Sequence, residues 1–323
     1  MNGTSARTRA AGLLLGVLAD RVLADPRRLH PVAGFGTLAG ALERRLWRDA
    51  RAPGVVHTAV LVGGAIVLGA AAERASRERP ALHLTLTAAA TWTVLGGTSL
   101  DREVAAVAAH LEDDDLPAAR QRLTHLVGRG TAELGEGEVV RAALESLAEN
   151  TSDAVVAPLV WGALAGVPGL LGHRAVNTLD AMVGHRSPRY ARFGWAAARL
   201  DDAANLPGAR LSAALAVVLG PRPRAALRTW RRDAAAHPSP NAGPVEAAFA
   251  GALGVSLGGT NDYGGRVEHR ARLGDGPAPA LDDLHGARRL ALRVDTAAAG
   301  LAAVVASLMP VLTRHQRREG LRA

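Results

Sequence analysis

The feature that most constrains this chain is a long apolar run set between acidic residues. Residues 154–172 carry no charged side chain and are long enough to cross a bilayer as one helix. The run is interrupted by five helix-weakening residues: Pro158, Gly162, Gly166, Pro168 and Gly169. A broken helix is tolerated at membrane depth only where protein or a wet cavity covers the freed backbone groups. The run therefore predicts a kinked or re-entrant segment lining a cavity, with uniform apolar packing as the alternative.

Other apolar blocks extend this interpretation. Residues 55–72 and 82–100 approach the length of a membrane span, and residues 296–312 form a last block. The mean hydropathy is +0.08 although 21% of the residues are charged, because apolar blocks alternate with charged loops. The sequence thus predicts an all-α, polytopic integral membrane protein with a broken or re-entrant central segment and helical extramembrane loops. For the first two blocks, a pair of buried helices in a soluble all-α protein is the alternative.

The domain organisation is expected to be simple. No internal repeat or series of β-hairpins is visible, so residues 1–323 are predicted to form a single membrane-embedded domain. Residues 101–150 and 261–290 are polar enough to be extramembrane excursions.

Composition narrows the chemistry that is open to the chain. All 38 basic residues are Arg, and Cys is absent, which excludes P-loops, Schiff-base lysines and thiolate nucleophiles. Carboxylate, amide, His, hydroxyl and Arg groups remain, a set that suits Mg²⁺ and the binding of phosphates by guanidinium groups. The net charge is +8, but aromatics are 3% of residues and the Arg are scattered, so no nucleic-acid partner is predicted.

Acidic residues precede the central run at helical spacing. Glu145, Glu149 and Asp153 are four residues apart, so on a regular α-helix they fall within about 80° of one face. A solvated helix face would ordinarily interleave basic partners. Three acids on one stripe therefore predict a site.

A second set of polar residues follows the central run. Asn177 and Asp180 are three residues apart, and Asp201, Asp202 and Asn205 lie within about one turn, between Arg199 and Arg210. Nearer the N-terminus, His30 lies in a Pro-containing segment, DPRRLHP, that predicts a fixed loop. A surface turn with incidental charges is the alternative for that loop.

Several long stretches of this sequence resemble one known family. They are ADPRRLHPVAGFG, ESLAENTSDAVVAPL, AVNTLDAMVGHRSPRYARFGWAAARLDDAANLPGARL, and SPNAGPVEAAFAGALGV followed by LGGTNDYGG. In this order they resemble the cobalamin-biosynthesis membrane proteins, the adenosylcobinamide-phosphate synthases of the CobD/CbiB family. The resemblance covers most of the chain.

The resemblance implies a multi-pass inner-membrane enzyme of cobalamin biosynthesis. Such enzymes join aminopropanol, or its O-phosphate, to the free propionate of the corrinoid cobyric acid through an amide bond. Since a carboxylate is a poor electrophile and an amine is largely protonated, activation by ATP through an acyl phosphate, with Mg²⁺, is expected. The partners implied are the corrinoid, the amino alcohol, ATP and the lipid bilayer, although no nucleotide-binding motif is recognisable in the sequence.

Roles for the candidate residues follow from this resemblance as expectations. Glu145, Glu149, Asp153 and Asp180 are expected to hold Mg²⁺ and to supply the base for the ammonium group. Asp201 and Asp202, with Asn205, form an alternative metal cluster. The phosphate-binding candidates are His30, Arg199 and Arg210, and Asn177 is a candidate for a corrin amide.

Two other functions stay open at this point. The pattern Asn177-x-x-Asp180 with Asp201-Asp202-x-x-Asn205 also resembles the Mg²⁺-diphosphate motifs of membrane prenyltransferases. Acids within membrane spans would instead suggest an ion path in a transporter, or a scaffold.

Overall fold

The computed structural model describes residues 3–25, 30–128, 130–185, 187–262 and 267–319. The α-helices are α1 (Gly3–Leu23), α2 (Pro31–Leu46), α3 (Arg51–Ser76), α4 (Pro80–Val94), α5 (Gly97–Glu112), α6 (Leu116–Leu123), α7 (Glu136–Thr151), α8 (Ala157–Ala165), α9 (Val167–Leu179), α10 (Trp195–Leu219), α11 (Pro223–Asp233), α12 (Ala242–Leu253) and α13 (Leu281–Glu319). Shorter elements are π-helical segments at Ser152–Val156 and Asp180–Gly184, a 3-10 turn at Ala234–Ala236, and strands β1 (Leu257–Asp262) and β2 (Val267–Leu273).

The predicted all-α class is confirmed, with one addition. Strands β1 and β2 pair antiparallel, with a register shift between Leu257 and Gly259. The stretch LGGTNDYGG reads in the sequence as a Gly-rich loop, because Gly, Asn and Asp are rare in strands. Pairing with β2 overrides that local preference.

The chain divides into two compact units, and each draws on distant segments. Unit 1 comprises Met1–Leu95, Ala157–Ala204 and Ala299–Ala323, and unit 2 comprises Gly96–Val156 and Asn205–Ala298. The predicted single membrane-embedded domain over residues 1–323 stays a prediction. So do its excursions at 101–150 and 261–290, of which residues 129 and 263–266 lie outside the described part of the chain.

Two helices of the described chain are long and apolar enough to cross a membrane. They are α3 and the Leu281–Met309 part of α13. Large apolar side chains on α3 face outward, with Val67 67% and Leu68 66% exposed. The 82–100 block instead is divided between two helices. Residues 82–94 belong to the 15-residue helix α4, roughly 22 Å long against a hydrocarbon core of about 30 Å, and residues 97–100 begin α5. Passage of the chain through the membrane several times stays a prediction.

Close helix contacts in unit 1 depend on glycine. A β-carbon on Gly12 or Gly16 of α1 would lie 2.6 Å or 2.3 Å from the Cβ of Thr87 or Thr91 on α4. These two glycines form a GxxxG pattern, which lets helix backbones approach closely. On α3, a β-carbon on Gly69 would lie 2.7 Å from the Cα of Pro168 in α9.

The central apolar run is interrupted at Gly166, between α8 and α9. Gly166 has φ +70°, a conformation that favours glycine. The break leaves backbone groups without helical partners, and a buried ion pair takes their place: Glu73 accepts from the Val167 N–H at 2.9 Å, and Arg9 donates to the Ala163 carbonyl at 3.5 Å. Arg9 and Glu73 are 2.7 Å apart. A re-entrant course for this run stays a prediction.

We expect Glu73→Ala to lower the stability of the protein strongly. The change leaves Arg9 as a buried cation without its carboxylate and removes the acceptor for Val167, a loss of about 3–5 kcal/mol in the free energy of unfolding. Thermal unfolding of the purified protein in detergent measures it. Arg77→Ala is the control, because Arg77 lies 3.7 Å from the same carboxylate but is half exposed. Equal midpoints for both variants would contradict the capping role of the buried pair.

We also expect Gly54→Ala to destabilise the protein where Gly63→Ala does not. Both glycines lie in α3, but a β-carbon on Gly54 would lie 1.8 Å from the Phe193 carbonyl oxygen, and one on Gly63 has no atom within 4 Å. Overpacking at Gly54 costs about 1–3 kcal/mol, while alanine at Gly63 favours the helix. Comparing the thermal midpoints of the two variants tests this, and equal losses would refute it.

Candidate active site

The acidic face of α7 lines a cleft in unit 2. The cleft has a volume of about 210 Å³ and contains Glu145 and Glu149 from α7, Glu246 from α12 and Arg270 from β2. Three carboxylates and one guanidinium group therefore face one small space. Such a set of donors can hold a hard cation and an anionic group together.

Glu145 is held against the β-hairpin by the backbone of Gly258. The Glu145 side chain is buried, and its Oε1 accepts from the Gly258 N–H at 2.8 Å. One helical turn earlier, the Nη1 of Arg141 donates to the carbonyl oxygen of the same glycine. Both backbone groups of Gly258 are thus bound by α7, which fixes the position of Glu145.

Glu246 is the acidic residue of an otherwise apolar helix. In α12, residues 242–252 are all buried, and Glu246 itself is 2% exposed. Its Oε1 lies 3.7 Å from Nε2 of His237, which is also buried. A carboxylate is seldom buried unless it has polar partners, so the burial of Glu246 in the cleft wall indicates a defined role for its charge.

Asp153 is not among the residues that line this cleft. The prediction of one acidic stripe assumed a regular α-helix through residue 153, but α7 ends at Thr151 and a π-helical segment follows at Ser152–Val156. A π-helical turn is wider than an α-helical one, so the position of Asp153 relative to Glu149 differs from that on a regular α-helix. Glu145 and Glu149 share the cleft, and a role for Asp153 in the same site stays a prediction.

Asp180 centres a second acidic group, in unit 1. It begins the π-helical segment Asp180–Gly184, and such segments are frequent at functional sites. Burial, together with the negative charge of Asp202, raises the pKa of Asp180 to about 6, with His185 opposing the rise. Gly184 leaves room for this carboxylate, since a β-carbon there would lie 1.8 Å from Asp180 Oδ1.

The other predicted residues of unit 1 lie in varied surroundings. Arg199 is exposed and lies 3.7 Å from Asp202, and Asp201 precedes Asp202 in α10. Asn177 is half-buried, one turn before Asp180. His30 is the N-cap of α2 and accepts from the Val32 N–H at 3.1 Å, so one ring nitrogen has a structural role.

Asn205 and Arg210 belong to unit 2. Asn205 is fully buried in α10. Arg210 donates to the Pro240 carbonyl at 2.8 Å and to Asn241 Oδ1 at 3.1 Å. Arg210 thus holds the loop that leads into α12, the helix of Glu246. This contact gives Arg210 a positioning role in addition to its predicted affinity for phosphate.

The donor set can be tested against Mg²⁺. Over the described ranges, no three His, Asp or Glu side chains are grouped closely enough to form a metal cage. Mg²⁺ does not require one, because it keeps several waters and is bound through one or two carboxylates together with substrate phosphates. The cleft of Glu145, Glu149 and Glu246 fits that mode of binding.

Sequence reasoning missed Glu246 and Arg270. A signal for Glu246 was present: one carboxylate in the apolar stretch AGPVEAAFAGAL has no reason to be there unless it is paired or functional. Arg270 had no such signal. It reaches the cleft because a β-hairpin forms where the sequence indicates a loop.

Comparison with known proteins identifies the family of this chain. The model of the CobD/CbiB protein family matches residues 13–291. The chain belongs to the CobD/CbiB family. All the predicted site residues, as well as Glu246 and Arg270, lie within the matched range. The resemblance inferred from the sequence motifs is thereby confirmed.

Relatives within the CobD/CbiB family match over most of their length. The chain is 54% identical over 304 residues to "Cobalamin biosynthesis protein CobD" of Mycobacterium tuberculosis strain H37Rv, covering 93% of this chain and 96% of that protein. It is 44% identical over 314 residues to the protein of the same name from Geobacter metallireducens, covering 93% and 98%. The comparison with solved structures gave no significant match.

For this CobD/CbiB protein we expect stability to fall as pH rises from about 4 to about 6. A carboxyl whose pKa is raised binds its proton more tightly in the folded state, so the stability it contributes is complete below its ordinary pKa of 3.8 and is lost as the pH passes about 6. In Asp180→Asn, the thermal midpoint should depend less on pH over this range than in the wild type. Asp49→Asn, at a well-exposed position, is the control. A wild-type slope in Asp180→Asn would contradict the assignment.

Proposed function

We propose that this protein catalyses the amide-bond-forming step of cobalamin biosynthesis. It joins aminopropanol, or its O-phosphate, to the free propionate of cobyric acid, with ATP and Mg²⁺. The observation that carries the proposal is the cleft in which Glu145, Glu149 and Glu246 face Arg270. Membership of a family of cobalamin biosynthesis proteins supports the choice of a corrinoid substrate.

The cleft offers separate positions for the cation and for the proton. Glu145 and Glu246 are buried. The Gly258 N–H holds the Glu145 carboxylate, and Glu246 lies beside His237, so both carboxylates suit the binding of Mg²⁺ at a fixed position. Glu149 is half-buried, where an incoming ammonium group can reach it. It takes the proton that the amine must lose before its nitrogen can attack a carbonyl carbon.

Arg270 completes the proposed site with positive charge. A guanidinium group recognises a carboxylate or a phosphate through two parallel N–H groups. Arg270 therefore suits the propionate of the substrate, or the phosphate group of the acyl phosphate formed from it. ATP would transfer a phosphoryl group to the propionate with release of ADP, and the amine nitrogen would then displace inorganic phosphate from the carbonyl carbon. Bound Mg²⁺ would screen the charge on the phosphates. The acids Asp180, Asp201 and Asp202 of unit 1 are the alternative acidic group for this role.

We further propose a multi-pass location in the inner membrane. Helix α3 and the Leu281–Met309 part of α13 have the length and apolarity of spans. Helix α1 adds an outward apolar face, on which Leu18 is 55% and Val22 67% exposed. Apolar side chains exposed in such numbers are expected to contact lipid.

Membranes containing the protein should form a corrinoid amide from cobyric acid, aminopropanol phosphate and ATP. Glu149→Gln and Glu246→Gln should each lower the rate about 100-fold or more, since each loses a charge needed for proton transfer or for the cation. Glu133→Gln, at an exposed position, should leave the rate unchanged. Immunoblotting of the membranes checks that every variant is inserted.

The same assay separates the alternatives. Full activity in Glu149→Gln and Glu246→Gln with loss in Asp180→Asn would move the chemistry to the acidic group of unit 1. A prenylated product from an isoprenoid diphosphate, with no corrinoid amide, would overturn the proposed function.

A further inference from the structure

A second cleft in unit 2 is lined in part by Gly258, the residue whose N–H binds Glu145. Its volume is about 530 Å³, and it is lined by the start of α7, strand β1, Arg272 of β2 and the segment that follows. Two guanidinium groups, from Arg141 and Arg272, contribute to its wall, against one acidic side chain, Glu138. The cleft therefore has a net positive charge, whereas the neighbouring cleft of Glu145 is acidic.

Two adjacent glycines give this cleft its wall. Gly258 has φ +81° and Gly259 φ +94°, values that favour glycine. A β-carbon on Gly259 would lie 2.8 Å from Nη1 of Arg141, and one on Gly258 would lie 2.1 Å from the Ala271 carbonyl oxygen. The glycines thus allow a guanidinium group to lie directly against the strand. This explains the Gly-rich stretch LGGT, for which the sequence alone indicates no role.

The two arginines are held by backbone groups. Arg141 is 13% exposed and donates to the Gly258 carbonyl oxygen. Arg272 is exposed and donates to the Gly276 carbonyl oxygen at 2.7 Å, and a guanidinium group has five N–H donors. Glu138 is 4.0 Å from Arg141, and its Oε2 accepts from the Gly135 N–H at 2.9 Å as a helix cap. These contacts fix the guanidinium groups in position without filling the cleft.

We propose that this cleft, the Arg141–Arg272 cleft, binds the phosphate groups of a substrate. Guanidinium groups pair with phosphate oxygens through two parallel N–H bonds, and the volume equals that of about 18 waters, enough for a chain of two or three phosphates. The inference rests on the proposed function in one respect: Gly258 is also bound by Glu145, so a bound phosphate lies beside the carboxylates proposed to hold Mg²⁺.

Direct binding tests this apart from catalysis. With the full-length protein in nanodiscs, calorimetry with ATP, with pyrophosphate and with aminopropanol phosphate identifies the source of the phosphate. Aminopropanol, which has no phosphate group, serves as the blank. Arg272→Gln should weaken the binding of the phosphate ligand about tenfold or more, because a charge-assisted contact is lost. Arg272→Lys keeps the charge but not the paired geometry and should weaken it less. Arg224→Gln, an exposed arginine outside the cleft, is the matched control.

The outcomes distinguish this inference from the proposed function. Phosphate binding that depends on Arg272 in a protein that forms no corrinoid amide would support the phosphate site and reject the proposed function. Amide formation with an unchanged KM for both ATP and aminopropanol phosphate in Arg272→Gln would support the function and overturn the phosphate site. Equal weakening by Arg224→Gln and Arg272→Gln would also overturn it, since a general charge effect would then explain the binding.

Discussion

The buried pair of Arg9 and Glu73 stabilises the break in the central segment, because it binds the backbone groups that the break leaves without helical partners. Where α8 ends and α9 begins, backbone groups lack helical partners, and in apolar surroundings each such group costs several kcal/mol, about the scale of a whole domain's stability. The carboxylate of Glu73 binds the Val167 N–H, and Arg9 reaches the Ala163 carbonyl. Because α1 supplies one partner and α3 the other, the break joins helices that are far apart in sequence.

In unit 2, an Arg and a Glu side chain again bind backbone groups at an irregular point of the chain. There, Arg141 and Glu145 bind the two backbone groups of Gly258, so a helix is fixed to an irregular strand by side chains one turn apart. Glu145 also lines the acidic cleft, and Arg141 also lines the arginine-lined cleft. A chain whose basic residues are all Arg is suited to this, because the planar guanidinium group binds backbone carbonyls and anions in fixed geometry.

Much of the fold could be predicted from particular residues. The apolar block at 55–72 indicated α3, and the Pro and Gly residues at 158–169 indicated an interruption, although not that Gly166 is the point of the break. The end of helix α4 and the formation of the β-hairpin are harder to predict from the sequence. An apolar composition does not fix where a helix ends, and the pairing of a Gly-rich strand depends on a partner ten residues away. The π-helical segment after Thr151 likewise has no local signal in the sequence.

The candidate site divides in the same way between local and long-range information. The sequence by itself determined the chemistry available, since it contains no Lys or Cys and places Glu145 and Glu149 on one face of α7, and its motifs determined the family. Only the tertiary structure decided which groups meet: Glu246 and Arg270 join the acidic cleft, and Arg141 joins Arg272 across the glycines. The reason is physical, since helical spacing is set by neighbours in the chain, whereas convergence of side chains depends on packing between segments more than a hundred residues apart.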